Sequence, residues 1–409
     1  MGISMGMVGL GSFGNAFVRL FTSHPLVDRI ALCDREPERI KKFLDDPFFK
    51  GKLSPRDLYF SLEDICRADL DALVIITQPW LHAPQCIKAM EAGKHVYSAV
   101  PVISVPDGDE ILDCCAKIID CTRRTGRHYM LGETTIYRPQ TMFCRRMAAA
   151  GKFGNFVYAE GEYCHDVDAH CNLRQVQANR TSSASGKEWL ELRKKYMARN
   201  KKNGPMYYPT HSVAGPLSVM RARPLKVSAG GYRNKNNDPF FQEYDFSDIS
   251  AFFHMDNGVT LRINEFREAA PVHGWDETFR IIGTSGSFSM NKWSENGRST
   301  PDSAKLPEWK ELQDADMRDP LPREVSEAFK YAQNPNATPG DDFTPQGHGG
   351  SHPYLVHEFC SAAAENRMPE INAWDAALYM SMGVAAHKSA LLDGELVKVP
   401  DFGIAPESL

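Results

Sequence analysis

Hydrophobic positions follow two regimes along the chain. Up to about residue 130, short apolar runs alternate with stretches whose apolar residues recur at helical spacing. Residues 3–8 form one such run, and Phe13, Phe17 and Leu20 then mark a helix. Arg29–Cys33 and Asp71–Thr77 are further strands, the second apolar enough to be buried on both faces. A helix is expected from about Ala83 to Ala92, stopped by Gly93, then a strand at His95–Ala99. Pro106 opens an amphipathic helix with Ile111, Cys115 and Ile118 on one face. Strands alternating with helices across short loops predict an α/β fold, a doubly wound parallel sheet of Rossmann type over 1–130.

Beyond Tyr129 the period changes. A helix is expected within Glu133–Gly151, followed by strands at Phe156–Tyr163, Leu225–Tyr232, Ser250–His254, Thr260–Phe266, Phe279–Ile282 and Ser287–Met290. Asn257-Gly258 reads as the turn between two of them. The pattern predicts an open mixed sheet in a second domain, 131–409, whose uncovered face suits a homo-oligomer, dimer or tetramer. Residues 291–347 are polar and proline-studded and predict an irregular excursion. Helices return at Pro353–Glu365 and Trp374–Leu392.

Length and composition narrow the class. The 409 residues suit two or three domains, and 42% apolar with 24% charged residues is a globular balance. Lys plus Arg is 47 against 52 Asp plus Glu, a net charge of −5, so no nucleic-acid or membrane partner is expected. Ten cysteines without a CxxC pair suit a reduced compartment, and the N-terminus lacks a basic leader, so a cytoplasmic location is expected.

The first loop carries the clearest chemistry. Gly9-Leu10-Gly11-Ser12-Phe13-Gly14 lies between the first strand and helix. Its glycines permit a tight turn, close approach of a pyrophosphate, and helix–strand packing. Asp34 ends the second strand, placed to accept ribose hydroxyls and repel a 2′-phosphate, so NAD is expected over NADP. The neighbouring Arg35 is the one feature that suits NADP. Loops at the strand ends, Thr77-Gln78-Pro79-Trp80-Leu81-His82 and Ala99-Val100-Pro101-Val102, should face the nicotinamide, with His82 lining the cofactor as the next helix begins.

Three clusters concentrate titratable groups in the second domain. Glu160–Cys171 contains Tyr163, His165 and Asp166 at a strand end; its His and Cys residues are contiguous rather than spaced as zinc ligands, so no metal is assigned. Tyr208 and His211 stand three residues apart, facing alike on a helical turn, and suit a proton relay to a carbinol; the plainer reading of His211 is a hydrogen-bonded helix-start residue. His348 lies among glycines before a helix.

These residues together resemble the glucose–fructose oxidoreductase / inositol dehydrogenase / MocA (Gfo/Idh/MocA) superfamily. The resemblance is carried by GLGSFG, Cys33-Asp34-Arg35 and DALVIITQPWLHAPQCIKAMEAGKHVY followed by a proline. It implies a C-terminal α+β domain with a large open, mostly antiparallel sheet, and hydride exchange at a ring hydroxyl of a sugar or cyclitol. Where the superfamily usually has Glu-Lys-Pro, this chain has Ala99-Val100-Pro101, without the lysine held to assist proton transfer. That departure is similar to the NAD-using glycoside hydrolases typified by bacterial α-N-acetylgalactosaminidase. GNFVYAEGEYCHD, Tyr208-Pro209-Thr210-His211 and His348-Gly349-Gly350 match motifs of that subgroup, and Glu133 falls at its site glutamate.

The implied reaction is redox-neutral glycoside cleavage by oxidation, elimination, water addition and reduction. Tyr208 and His211 would handle the proton; Glu133, Tyr163, His165, Asp166 and His348 would bind the sugar. The alternatives are a net NAD-dependent sugar or cyclitol dehydrogenase, and an inactive nucleotide-sensing protein.

Overall fold

The computed structural model describes residues 2–168, 173–270, 275–295 and 308–407. The N-terminal part runs β1 (Ile3–Val8), α1 (Ser12–Ser23), β2 (Val27–Cys33), β3 (Leu58–Tyr59), α2 (Leu62–Arg67), β4 (Ala72–Ile75), α3 (His82–Glu91), β5 (His95–Ser98), α4 (Gly108–Thr125) and β6 (Tyr129–Leu131). Its six strands are parallel in the order β3-β2-β1-β4-β5-β6, the doubly wound topology expected. β4 is buried at every position, as an uninterrupted Ala72–Ile75 run requires when helices cover both faces. The order reverses between β1 and β4, which opens a crevice at their C-terminal ends beside the glycine loop.

The second part contains α5 (Pro139–Ala149), β7 (Phe156–His165), α6 (Leu173–Ser182), α7 (Ala184–Ala198), α8 (Thr210–Met220), β8 (Pro224–Tyr232), β9 (Asp248–Met255), β10 (Thr260–Phe266), β11 (Trp275–Gly283), β12 (Ser287–Ser289), β13 (Lys292–Ser294), β14 (Lys310–Glu311), α9 (Arg323–Gln333), α10 (His352–Glu365), α11 (Ala373–Leu391) and β15 (Val397–Lys398). Nine strands lie in the order β14-β13-β12-β11-β7-β10-β9-β8-β15, antiparallel except where β7 pairs with β10. α8 packs on the inner face of β7, where Gly161 is required: a Cβ there would lie 1.9 Å from the Ser212 carbonyl. Along β9 the inner residues Ile249, Ala251 and Phe253 are buried, whereas Phe252 and His254 face outward and are exposed.

The structure corrects the expected excursion over 291–347. Its described portion contains β13, β14 and the amphipathic helix α9, which buries Val325, Phe329 and Ala332 and packs against α1. The aromatic and aliphatic residues of α9 are spaced 325, 329, 332, a helical stripe obscured in sequence by the surrounding prolines. α10 also packs on α1, and α11 bridges α4 of the first sheet and β8 of the second. The C-terminal helices thus cover the N-terminal domain as well as their own.

Candidate active site

The glycine loop has the shape of a dinucleotide cradle. Gly9 has φ +92°, and a Cβ at Gly14 would lie 2.1 Å from the Gly9 carbonyl. At Gly11, by contrast, an added Cβ meets nothing within 4 Å: that space is left open beside the N-terminus of α1, whose first turn has no side-chain cap. Unpaired N–H groups at an open helix N-terminus suit a pyrophosphate. Asp34 is fixed by two backbone N–H donors, Leu10 at 2.8 Å and Glu36 at 2.9 Å, and its oxygens keep lone pairs for ribose hydroxyls. Arg35 turns away and is held by Glu188 of α7 through two hydrogen bonds of 3.0 and 3.1 Å. Ser12 is exposed at the mouth of the loop, and Phe13 is half-buried there. These residues fit NAD.

Four loops converge on the same crevice. Thr77 donates to Gln85 Oε1 at 2.6 Å, leaving Gln78 and Trp80 half-buried on the loop. His82 is buried, with Nδ1 2.9 Å from the Pro101 carbonyl and Nε2 3.3 Å from the Thr77 carbonyl. Burial outweighs these carbonyls and pushes its imidazole down to about 4, so His82 is neutral and its single N–H donates to one of the two, the shorter contact being to Pro101 at 2.9 Å. Phe13 meets His348 edge-on at 5.4 Å, which joins the His348 loop to the glycine loop. His348 Nδ1 in turn lies 2.9 Å from His352 Nε2, and burial, with His211 and Arg138 nearby, lowers His348 to about 4.

Tyr208 and His211 stand on the other wall. Tyr208 precedes α8 and donates to the Val100 carbonyl at 3.4 Å, the residue that replaces the usual lysine. His211 is in the first turn of α8, and its ring centroid lies 5.4 Å from that of Tyr208 and 4.8 Å from that of Tyr163. Tyr163 and His165 are hydrogen-bonded at 2.6 Å between Oη and Nδ1. Asp166 follows at the end of β7, its Oδ1 accepting from the Asp168 N–H. His170 and Cys171 of the same cluster lie outside the described residues. Among the described residues no group of three His, Cys, Asp or Glu side chains is placed to hold a metal ion.

Glu133 lies behind His211 rather than in the open cleft. It is 0% exposed, and its Oε1 is 2.9 Å from His211 Nδ1. The same oxygen accepts from the Thr135 N–H and hydroxyl at 2.9 and 2.8 Å. Burial opposes ionisation of Glu133, but the attraction and hydrogen bond of His211 prevail and hold it down to about 2. Burial likewise disfavours charge on His211, and the carboxylates of Glu133 and Glu277 overcome it, raising His211 to about 9. At neutral pH the pair is a carboxylate and an imidazolium. Burial raises Tyr208 above the usual phenol range, so it too keeps its proton.

Sequence patterning missed a second layer of charge. In the sheet register Tyr163 is flanked by Glu265 of β10 and Glu277 of β11. Glu277 is ion-paired to Arg138 at 2.6 Å; Glu265 accepts from Ser212 and pairs with Arg267 at 2.8 Å. Burial pushes Glu265 up to about 7 despite Arg267. A readable signal existed: Leu261, Ile263 and Glu265 alternate on one face, so Glu265 occupies an inward position where a carboxylate needs a reason to be.

Residues 3–121 match the model of the Gfo/Idh/MocA oxidoreductase family, described as an NAD-binding Rossmann fold. Over these residues the chain is similar to that family's NAD-binding domain. Among similar proteins, a glycosyl hydrolase family 109 protein of Porphyromonas gingivalis is 25% identical, over 98% of this chain and 84% of its own. One of Stenotrophomonas maltophilia is 26% identical, over 98% and 89% respectively. Among solved structures, a levoglucosan dehydrogenase complexed with NADH superimposes with TM-score 0.72 at 18% identity, covering 98% of this chain and 100% of that one. Myo-inositol 2-dehydrogenase from Lactobacillus plantarum gives TM-score 0.66 at 15% identity, with the same coverage. The matched Rossmann fold accounts for the crevice at the C-terminal ends of β1 and β4, and the cofactor is NAD. No helix among the described residues is long and apolar enough to cross a membrane.

Proposed function

We propose that this Gfo/Idh/MocA protein cleaves a glycoside without net oxidation, by oxidising a ring carbinol carbon, eliminating the anomeric substituent, adding water and reducing the ketone again. Bound NAD+ would accept the hydride and return it. The observation that carries the reading is the Tyr208 hydroxyl on the Val100 carbonyl, where the lysine is lacking, beside the hydrogen-bonded His211–Glu133 pair. The similarity to glycosyl hydrolase family 109 proteins across nearly the whole chain supports it.

Tyr208 contacts the carbinol oxygen and passes its proton inward to His211 once that ring has lost its own extra proton, as pH rises through about 9, and Glu133 balances the charge then formed. His211 thus receives a proton on one ring nitrogen while the other stays oriented by Glu133. Tyr163, His165, Asp166 and His348 bind the ring hydroxyls and serve the elimination step. Once the ketone forms, the adjacent C–H is acidic, and a base removes that proton as the C–O bond to the leaving group breaks. Water then adds across the double bond.

The test is stoichiometry. With a panel of aryl glycosides, product is expected to exceed the NAD present many-fold, with no accumulating nicotinamide absorbance and with solvent deuterium entering beside the oxidised carbon. One reduced cofactor per product, with no deuterium, would instead establish a net dehydrogenase. No hydride transfer to any substrate would leave a nucleotide-sensing protein.

The same reading includes a cytoplasmic homo-oligomer. Nine free cysteines among the described residues suit a reducing compartment. Phe252 (47% exposed) and Tyr232 (45%) stand on the outer face of the large sheet, where a second copy would cover them. Light scattering checks it: a monomeric mass overturns it.

A further inference from the structure

Beside the Tyr208–His211 pair lies a cleft holding one charge without a partner. Trp80 and Ser104 face Arg180, Trp189 and Tyr244 across the cleft. Trp80 and Trp189 stack with centroids 4.8 Å apart and planes within 9°. The other cations of the lining are already neutralised: Arg193 pairs with Glu243, and Lys201 with Asp107 at 3.0 Å. Arg180 is half-buried on α6; its carbonyl accepts from Ser183, but its guanidinium has no hydrogen bond or ion pair among the described residues. Burial lowers its guanidinium from the usual arginine range, against the opposing influence of the Tyr208, Tyr163 and Tyr244 phenols around it. Its charge also reaches His82 on the cofactor side. Trp80 Nε1, on the same wall, is a second donor that is shut off from solvent and unpaired.

A partly buried cation with five N–H donors and no protein acceptor leaves its fork free for a ligand to complete. The cleft presents a single uncompensated positive charge, so it suits a singly charged anion rather than a phosphate dianion. The planar guanidinium fork matches a carboxylate bidentately. We propose that Arg180 is a specificity-determining residue that pairs with a carboxylate on the sugar substrate, making uronic acid derivatives the preferred class. The kind of ligand rests on the proposed carbohydrate chemistry; the charge rests on Arg180 and its cleft.

Paired probes test it. Binding of methyl glucoside against methyl glucuronide, and methyl galactoside against methyl galacturonide, is measured by calorimetry on NAD-saturated wild type, Arg180→Gln and Arg180→Lys. The acid of at least one pair should bind wild type ~10-fold or more tightly than its neutral partner. Arg180→Gln should erase that preference, and Arg180→Lys should keep part of it. Without ligand, Arg180→Gln should melt at or above the wild-type temperature, because an unpaired charge has been removed. Equal binding within every pair, or a preference that survives Arg180→Gln, overturns the proposal while leaving the glycoside reading intact. So does a lower melting temperature in Arg180→Gln, or weaker NAD binding by it, which would give the cation a structural or cofactor role. Failure of all four probes to bind wild type overturns the carbohydrate reading, and this proposal with it.

Discussion

Glu133 Oε1 sits 2.9 Å from His211 Nδ1, wholly out of solvent, and this contact decides which form of His211 faces the cleft. With His211 raised to about 9, the histidine is a proton holder at neutral pH and becomes a base only in alkaline solution. The oxidation half-reaction, followed in single turnovers by nicotinamide absorbance, should therefore speed up as pH rises through about 9. Glu133→Gln removes the principal charge that sustains this value, and burial then acts without that opposition. The midpoint should move below 7 on the order of the ordinary imidazole value. A midpoint that stays put would remove Glu133 from the relay.

The same pair has a stability signature of definite sign. Glu133 is held low, so its contribution is complete above about pH 4.3 and is lost as pH falls through about 2. His211 is held high, so its contribution is complete below about pH 6.5 and is lost as pH rises through about 9. The two describe one coupled interaction and are not summed. The melting-temperature difference between wild type and Glu133→Gln should be greatest between roughly pH 4.3 and 6.5, narrowing on either side. A difference that does not vary with pH would count against an ionic pair.

Tyr208→Phe keeps the ring and removes only the hydroxyl. Turnover should fall about 10²- to 10⁴-fold, the usual worth of a positioned proton donor or acceptor. NAD affinity, measured by fluorescence titration, should be unchanged. Full activity in this variant would end the assignment of Tyr208.

Two glycines separate folding from cofactor binding. Gly14→Ala places a Cβ 2.1 Å from the Gly9 carbonyl and should destabilise the fold by about 2–4 kcal/mol in denaturant titration. Gly11→Ala meets no protein atom within 4 Å and should unfold like wild type, yet lose NAD affinity at least ~10-fold because its methyl group occupies the pyrophosphate space. Normal NAD binding by Gly11→Ala would place the cofactor elsewhere.

Cofactor preference rests on a different contact. Arg35 is engaged by Glu188 and so is not directed toward a 2′-phosphate. Glu188→Ala should release it and tighten NADP binding severalfold with little change for NAD. If NADP affinity does not rise, Asp34 alone sets the preference.

Much of this arrangement was legible in the chain, and the parts that were not share a cause. The alternation over Thr260–Phe266 predicts β10 residue for residue, and the parallel sheet follows from a glycine loop and alternating apolar runs, because those signals are local. The pattern does not predict the helices α6 and α7: few of their residues are buried, so they show little apolar period. Glu133 and His211 could be singled out separately, but their contact spans 78 positions, and only the fold makes one the counterion of the other. Arg180, Glu265 and Glu277 escaped notice for the same reason, since each gains its meaning from a neighbouring strand or loop distant in sequence.

α11 has a consequence for how the protein is made. Most of its side chains between Ala373 and Ala390 are buried, and it spans from α4 of the first sheet to β8 of the second. During synthesis the helix that closes both sheets emerges long after the glycine loop. Until then the nascent chain carries uncovered apolar surface on α4, so completion of the cofactor half waits for α11 to leave the ribosome. A message truncated ahead of residue 373 would be expected to yield an aggregating fragment rather than a free-standing nucleotide-binding module.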